Sequence, residues 1–82
     1  MTNAHKLNWR RKGWTEKVTV NGKAVASVTR SLERDNKWAM WTIAAKRGRA
    51  TGYIYESADE AKAQAEQELL NMARLITAAF TN

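Results

Sequence analysis

The sequence predicts an α+β domain: an antiparallel sheet of three or four strands followed by one long C-terminal helix packed on one face. Three observations carry this. Thr15 to Val20 alternates polar and β-branched residues, meets Asn21-Gly22 and resumes at Lys23-Ala24-Val25, the pattern of a tight hairpin. Trp38 to Ala45 and Ala50 to Glu56, separated by Lys46-Arg47-Gly48-Arg49, read as a second hairpin. Ser57-Ala58-Asp59-Glu60 has the form of a capping box and opens an apolar stripe of 3.6-residue period that runs to Phe80.

At 82 residues the chain builds one hydrophobic core, so one domain is expected. It has no cysteine, which excludes a disulfide framework and thiolate metal sites and fits a reducing, cytoplasmic location. Met1 to Trp14 lacks the apolar centre of a signal peptide, and the longest mainly apolar run, Trp38 to Ala45, is far short of the ~20 residues of a membrane span.

In chain order, residues 1–13 form a basic N-terminal segment without sustained period, either a flexible arm or a short extra element, and residues 14–82 form the sheet-plus-helix domain. Asn21-Gly22 suits a type I′ turn because both positions need positive φ, which pairs Val20 with Lys23 and Val18 with Val25. The second strand continues to about Leu32. Its apolar positions switch parity from Val25 to Val28, which a bulge near Ala26-Ser27 explains.

Arg34 to Lys37 is turn-like, and Trp38 to Ala45 is the third strand, with a buried helix as the alternative reading of so short an apolar run. In the helix, Ala61, Ala65, Leu69, Met72, Ile76, Ala79 and Phe80 share a stripe. Some 22 helical residues reach about 33 Å, against about 20–27 Å for the strands. An overhang ending in Ile76 and Phe80 either mediates homodimerisation or packs on the basic arm.

If Lys46 and Arg49 close the second hairpin, residue 43 opposes 52, 42 opposes 53, 41 opposes 54 and 40 opposes 55. One side then holds Ala39, Trp41, Ile43, Ala45, Ala50, Gly52 and Ile54, whose small residues allow close approach of a helix carrying Ala61 and Ala65. This side is expected to face the core. The open side then holds Trp38, Met40, Thr42, Lys46, Arg49, Thr51, Tyr53 and Tyr55, aromatics among cations suited to phosphate contact and base stacking. Two alternatives stay open: the reverse assignment, or a sheet covered on both sides.

The charge is divided along the chain. Residues 1–55 carry 12 Lys or Arg against 3 Asp or Glu, whereas residues 56–82 carry 2 against 5. A basic sheet half steers polyanions or acidic protein surfaces. Candidate nucleic-acid contacts are Arg10, Arg11 and Lys12 in the arm, Lys46, Arg47 and Arg49 at the hairpin tip, and Trp38, Tyr53 and Tyr55 on the open side. The polar tip and the basic terminus are also what solvated ends look like.

His5 is the only histidine, and the four glycines at 13, 22, 48 and 52 form no phosphate-cradling motif. With no carboxylate pair placed for acid–base work, the expectation is a binding module, not an enzyme, with no cofactor or metal.

The sheet array followed by one helix, with Gly52-Tyr53-Ile54-Tyr55 running into Ser57-Ala58-Asp59-Glu60-Ala61-Lys62, resembles the arm-type DNA-binding domain of phage and transposon integrases over roughly residues 14–70. That family lays a three-stranded sheet into the major groove, backed by the helix. The resemblance implies DNA ahead of RNA and places Lys17, Lys23, Arg30, Lys46 and Arg49 as contacts. The chain is expected to depart from the family in standing free of a following catalytic domain and in having room for a fourth strand. The alternative function is a small phage-encoded inhibitor or adaptor that binds a host protein machine through the same basic sheet surface.

Overall fold

The computed structural model of the chain describes residues 5–31, 33, 36–44, 52 and 54–80. Four strands, β1 (Arg10–Lys12), β2 (Thr15–Val20), β3 (Lys23–Arg30) and β4 (Trp38–Thr42), precede a helix, α1 (Ala58–Phe80). The sheet is an antiparallel meander in the order β1-β2-β3-β4, and α1 packs on it against β3 and β4. The α+β architecture is therefore as the sequence predicts.

Local chemistry sets each turn. Asn21 and Gly22 both take positive φ, 52° and 82°, as a type I′ turn requires, and Val20 pairs with Lys23. Between β1 and β2, Gly13 takes φ 63° at the first of two turn positions, the place where a type II′ hairpin needs glycine. The N-terminal segment thus contributes an edge strand, and the chain before it packs onto the domain.

The bulge lies opposite Val18 and Thr19. Val18 pairs with Ala26 and Thr19 with Ala24, so Val25 is the extra residue, one position earlier than the sequence pattern suggests. Beyond Thr42, Ala45 to Thr51 and Tyr53 lie outside the described residues, so the expected fourth strand is represented by one antiparallel bridge. There Trp38 and Tyr55 exchange both backbone hydrogen bonds, at 2.8 and 3.0 Å. Tyr55 opposes Trp38, two residues from the expected partner Met40.

The core consists of Val18, Ala26, Val28 and Met40 from the sheet and Ala61 and Ala65 from the helix, with Leu7, Trp9, Val25, Trp38, Tyr55 and Leu69 packed around it. Small residues on both layers, Ala26 below and Ala61 and Ala65 above, let the helix approach closely enough for Met40 and Val28 to be fully enclosed. Each such large side chain contributes about 1.5–3 kcal/mol through burial.

This packing corrects the face assignment. Met40 and Thr42 are buried, Trp38 and Tyr55 pack against the core, and Ile43 and Ile54 are exposed. Among the described residues the helix side therefore carries Trp38, Met40, Thr42 and Tyr55 in place of the expected Trp41, Ile43 and Ile54, while Ala39 is buried on the opposite side. Register decides the matter: Val28 pairs with Met40 and Ala26 with Thr42, so the apolar positions of β2 and β3 share a side with the even-numbered residues of β4. Buried Thr42 is satisfied, donating to Glu68 Oε1 at 3.2 Å and accepting from the Ala44 amide at 3.1 Å.

Ser57 Oγ accepts from the Glu60 amide at 3.1 Å, and Glu60 Oε1 accepts from the Glu56 amide at 2.8 Å, one residue before the position of an ordinary capping box. The 23 residues of α1 extend about 34 Å. Its buried positions end at Ala65, and Leu70, Leu75, Ile76 and Phe80 stand exposed. No helix among the described residues is long and apolar enough to cross a membrane.

Candidate functional site

The side of the sheet opposite α1 is an ordered grid. Following the register across all four strands, one row reads Arg10, Lys17, Ser27, Trp41 and the next reads Lys12, Thr15, Thr29, Ala39. Rows two residues apart are about 7 Å apart and neighbouring strands about 4.8 Å apart. Cations therefore occupy the β1–β2 half, hydroxyls the centre and an indole the β4 side. Thr15 and Thr29 join their hydroxyl oxygens at 2.7 Å, which stiffens the centre.

Arg10 and Lys17 are directly opposed, exposed and of like sign, with Lys12 beside them. Like charges placed so are unfavourable unless something anionic lies over them. Among the described residues no carboxylate pairs with any of the three.

Four cations elsewhere are engaged. Lys62 Nζ lies 2.6 Å from Glu16 Oε1, with both side chains largely covered, and Lys37 pairs with Glu56. Arg30 stacks over the Trp14 ring at 4.1 Å and donates to Asn36 Oδ1 at 2.6 Å. Arg11 lies 5.8 Å from the same ring and donates to the Gly13 carbonyl at 3.2 Å. Arg11 faces Glu16 across the strands, so on the helix side opposite charges meet where on the open side like charges do.

Of the residues singled out from sequence, Arg10, Lys12 and Lys17 come together on the open side. Arg11 and Arg30 cluster with Trp14 at one end of the sheet, and Lys23 sits at the β2–β3 turn opposite Val20. Trp38 and Tyr55 lie on the helix side, partly buried against the core. Burial, then the nearby charges of Glu68 and Glu60, push the Tyr55 phenol above its ordinary value, which keeps it neutral. Lys46, Arg47, Arg49 and Tyr53 lie outside the described residues.

Sequence reasoning missed Trp41, assigned to the core, and the Arg–Trp–Arg stack at Trp14. Alternation placed Trp41 in a set without telling which side that set faced. The stack depends on Arg30 returning beside Trp14, where the Arg30 amide donates to the Trp14 carbonyl at 3.1 Å.

One carboxylate fixes β1 in place. Glu66 accepts from the Leu7 amide at 2.9 Å, the Lys6 amide at 3.1 Å and Trp9 Nε1 at 2.9 Å, with His5 Nδ1 3.7 Å away. Burial alone would raise its carboxyl, but the Leu7, Trp9 and Lys6 hydrogen bonds and the His5 ring outweigh it and hold the group below the ordinary carboxylate value. His5 also meets Asp59 at 3.2 Å. The helix thereby holds the segment that delivers Arg10 and Lys12.

Among the described residues there is no cluster of three or more His, Cys, Asp or Glu able to hold a metal ion. Comparison of the chain with protein-family models, curated proteins and solved structures finds no match.

Proposed function

We propose that this domain is a cytoplasmic nucleic-acid-binding module, engaging duplex DNA ahead of RNA, with Arg10, Lys12 and Lys17 on phosphates. The observation that carries the reading is the directly opposed Arg10–Lys17 pair, flanked by Lys12 and without an acidic partner among the described residues. A phosphate between the two cations turns an unfavourable juxtaposition into two charge-assisted hydrogen bonds. Serine and threonine hydroxyls beside them add neutral donors, and Trp41 adds an aromatic surface at the far side of the same row.

Neutralising three phosphates gives a logarithmic salt slope of about −2.7 and weak affinity in the micromolar range or above. Fluorescence anisotropy of a short labelled duplex at several salt concentrations measures both. Arg10→Gln and Lys17→Gln each reduce the slope by about 1, while Arg74→Gln on the helix leaves it unchanged. Absence of binding at low salt counts against nucleic acid. A partner captured from nuclease-treated host lysate and released by Lys17→Gln then identifies an acidic protein surface instead.

A further inference from the structure

We propose that α1 carries a second, separate seam through which two copies of this chain pair antiparallel. The core stripe of α1 runs through Ala61 and Ala65. Displaced around the helix from it, Ala63, Glu66, Leu70, Ala73, Thr77 and Phe80 follow one another at alternating spacings of three and four, the period of a helix–helix seam. All of them except Glu66 are exposed, Leu70 at 39% and Phe80 at 83%.

The series is complementary to its own reverse. About a twofold axis passing between Asn71 and Met72, Ala63 meets Phe80 of the partner subunit, Leu70 meets the partner's Ala73, and Glu66 meets the partner's Thr77. Every large side chain thus opposes a small one, which is how facing helix layers fill space.

The surface already has a receptacle at the required place. An open, mainly apolar groove of about 530 Å³ lies between Leu7 of the N-terminal segment and Ala63, Leu69, Leu70 and Ala73 of α1. The antiparallel register delivers the partner's Phe80 to its Ala63 end. The pairing covers 18 residues, about 26 Å of helix, and buries on the order of 1,000 Å² in total, the lower limit for a specific interface. Between Leu69 and Phe80 the only charge is Arg74, and the groove beside Ala63 is mainly apolar with Lys6 and Glu66 of opposite sign at its edge, so the face suits its own reversed copy better than a polyanion. A C2 contact of this kind closes on itself and leaves no open surface for further growth.

Sedimentation equilibrium from about 5 to 500 µM tests this. The expected result is a dimer of micromolar affinity whose dissociation constant rises at least about tenfold with Leu70→Glu or Phe80→Glu. Leu75→Glu, on the other side of the helix, leaves it unchanged. Circular dichroism verifies that α1 persists in each variant. Because the chain has no cysteine, Ala63→Cys combined with Phe80→Cys gives a clean oxidative cross-link between subunits, and Ala63→Cys with Leu75→Cys does not. A monomer throughout the range, a dimer indifferent to both seam charges, or one dispersed by Leu75→Glu overturns the proposal.

Discussion

The two faces of the sheet use the same residue types to opposite ends. On the helix side Arg11 is opposed to Glu16, Glu16 is held by Lys62, and the remaining positions enclose Val28 and Met40. On the other side, one residue along each strand, Arg10 is opposed to Lys17 and the row continues through Ser27 to Trp41. A shift of one residue therefore separates a face organised for stability from one that accumulates positive charge without compensation among the described residues. Charge surplus in the sequence is only a sum. The register determines where it is left unbalanced.

The largest effect that sharpens this contrast is Met40→Ala. Met40 is 2% exposed, and its truncation should cost about 2–5 kcal/mol in denaturant unfolding. Trp41→Ala, next in sequence but on the other face, should cost less and act instead on duplex affinity. Equal losses of stability would erase the distinction between the faces.

The Glu66 anchor comes next. Its folded carboxyl titrates below the unfolded value, so its contribution is fully present above the unfolded value near 4.5 and is lost as pH falls through the lower, folded one. Glu66→Ala leaves the Leu7 and Lys6 amides and Trp9 Nε1 without their acceptor, at a cost of about 1–3 kcal/mol near neutrality. Thermal melts followed between about pH 2 and 7 should show a shallower acid limb in Glu66→Gln. A limb identical to that of the parent would remove Glu66 from the account.

The smallest effect on stability is the most diagnostic in sign. Lys17→Glu converts the Arg10–Lys17 opposition into an attractive pair and should raise stability by about 0.3–0.5 kcal/mol while weakening duplex binding. A variant that gains stability and loses binding identifies a residue kept for its partner. Loss of both would indicate that Lys17 serves the fold.

Features governed by neighbours in sequence were legible before the structure. The Ser57–Glu60 cap and the stripe through Ala61 and Ala65 arise from local hydrogen bonding and helical period, and Asn21-Gly22 dictates its own turn. Gly13-Trp14 carries the same kind of turn signal, but the three-residue strand before it is too short to show alternation. What escaped is long-range. Trp9 Nε1 finds Glu66 57 residues away, and Arg30 finds Trp14 across the sheet.

Sidedness was lost for a related reason. Alternation sorts Trp38, Met40 and Tyr55 from Trp41 and Ile54, but it leaves open which set the helix covers until Val28 is known to pair with Met40. Of the three cations that meet on the open face, Arg10 and Lys12 were singled out by charge and Lys17 by the resemblance to an integrase arm-type domain. Trp38 and Tyr55 were chosen by the same aromatic signal that marks a core.

The central claim is that three cations on the open face contact phosphate, and the salt dependence of duplex binding tests it most directly. Affinity measured against salt for the parent chain and for the triple variant Arg10→Gln, Lys12→Gln, Lys17→Gln should give a logarithmic slope of about −2.7 falling to near zero. A slope unchanged in the triple variant, or no duplex affinity at low salt in the parent, would contradict it.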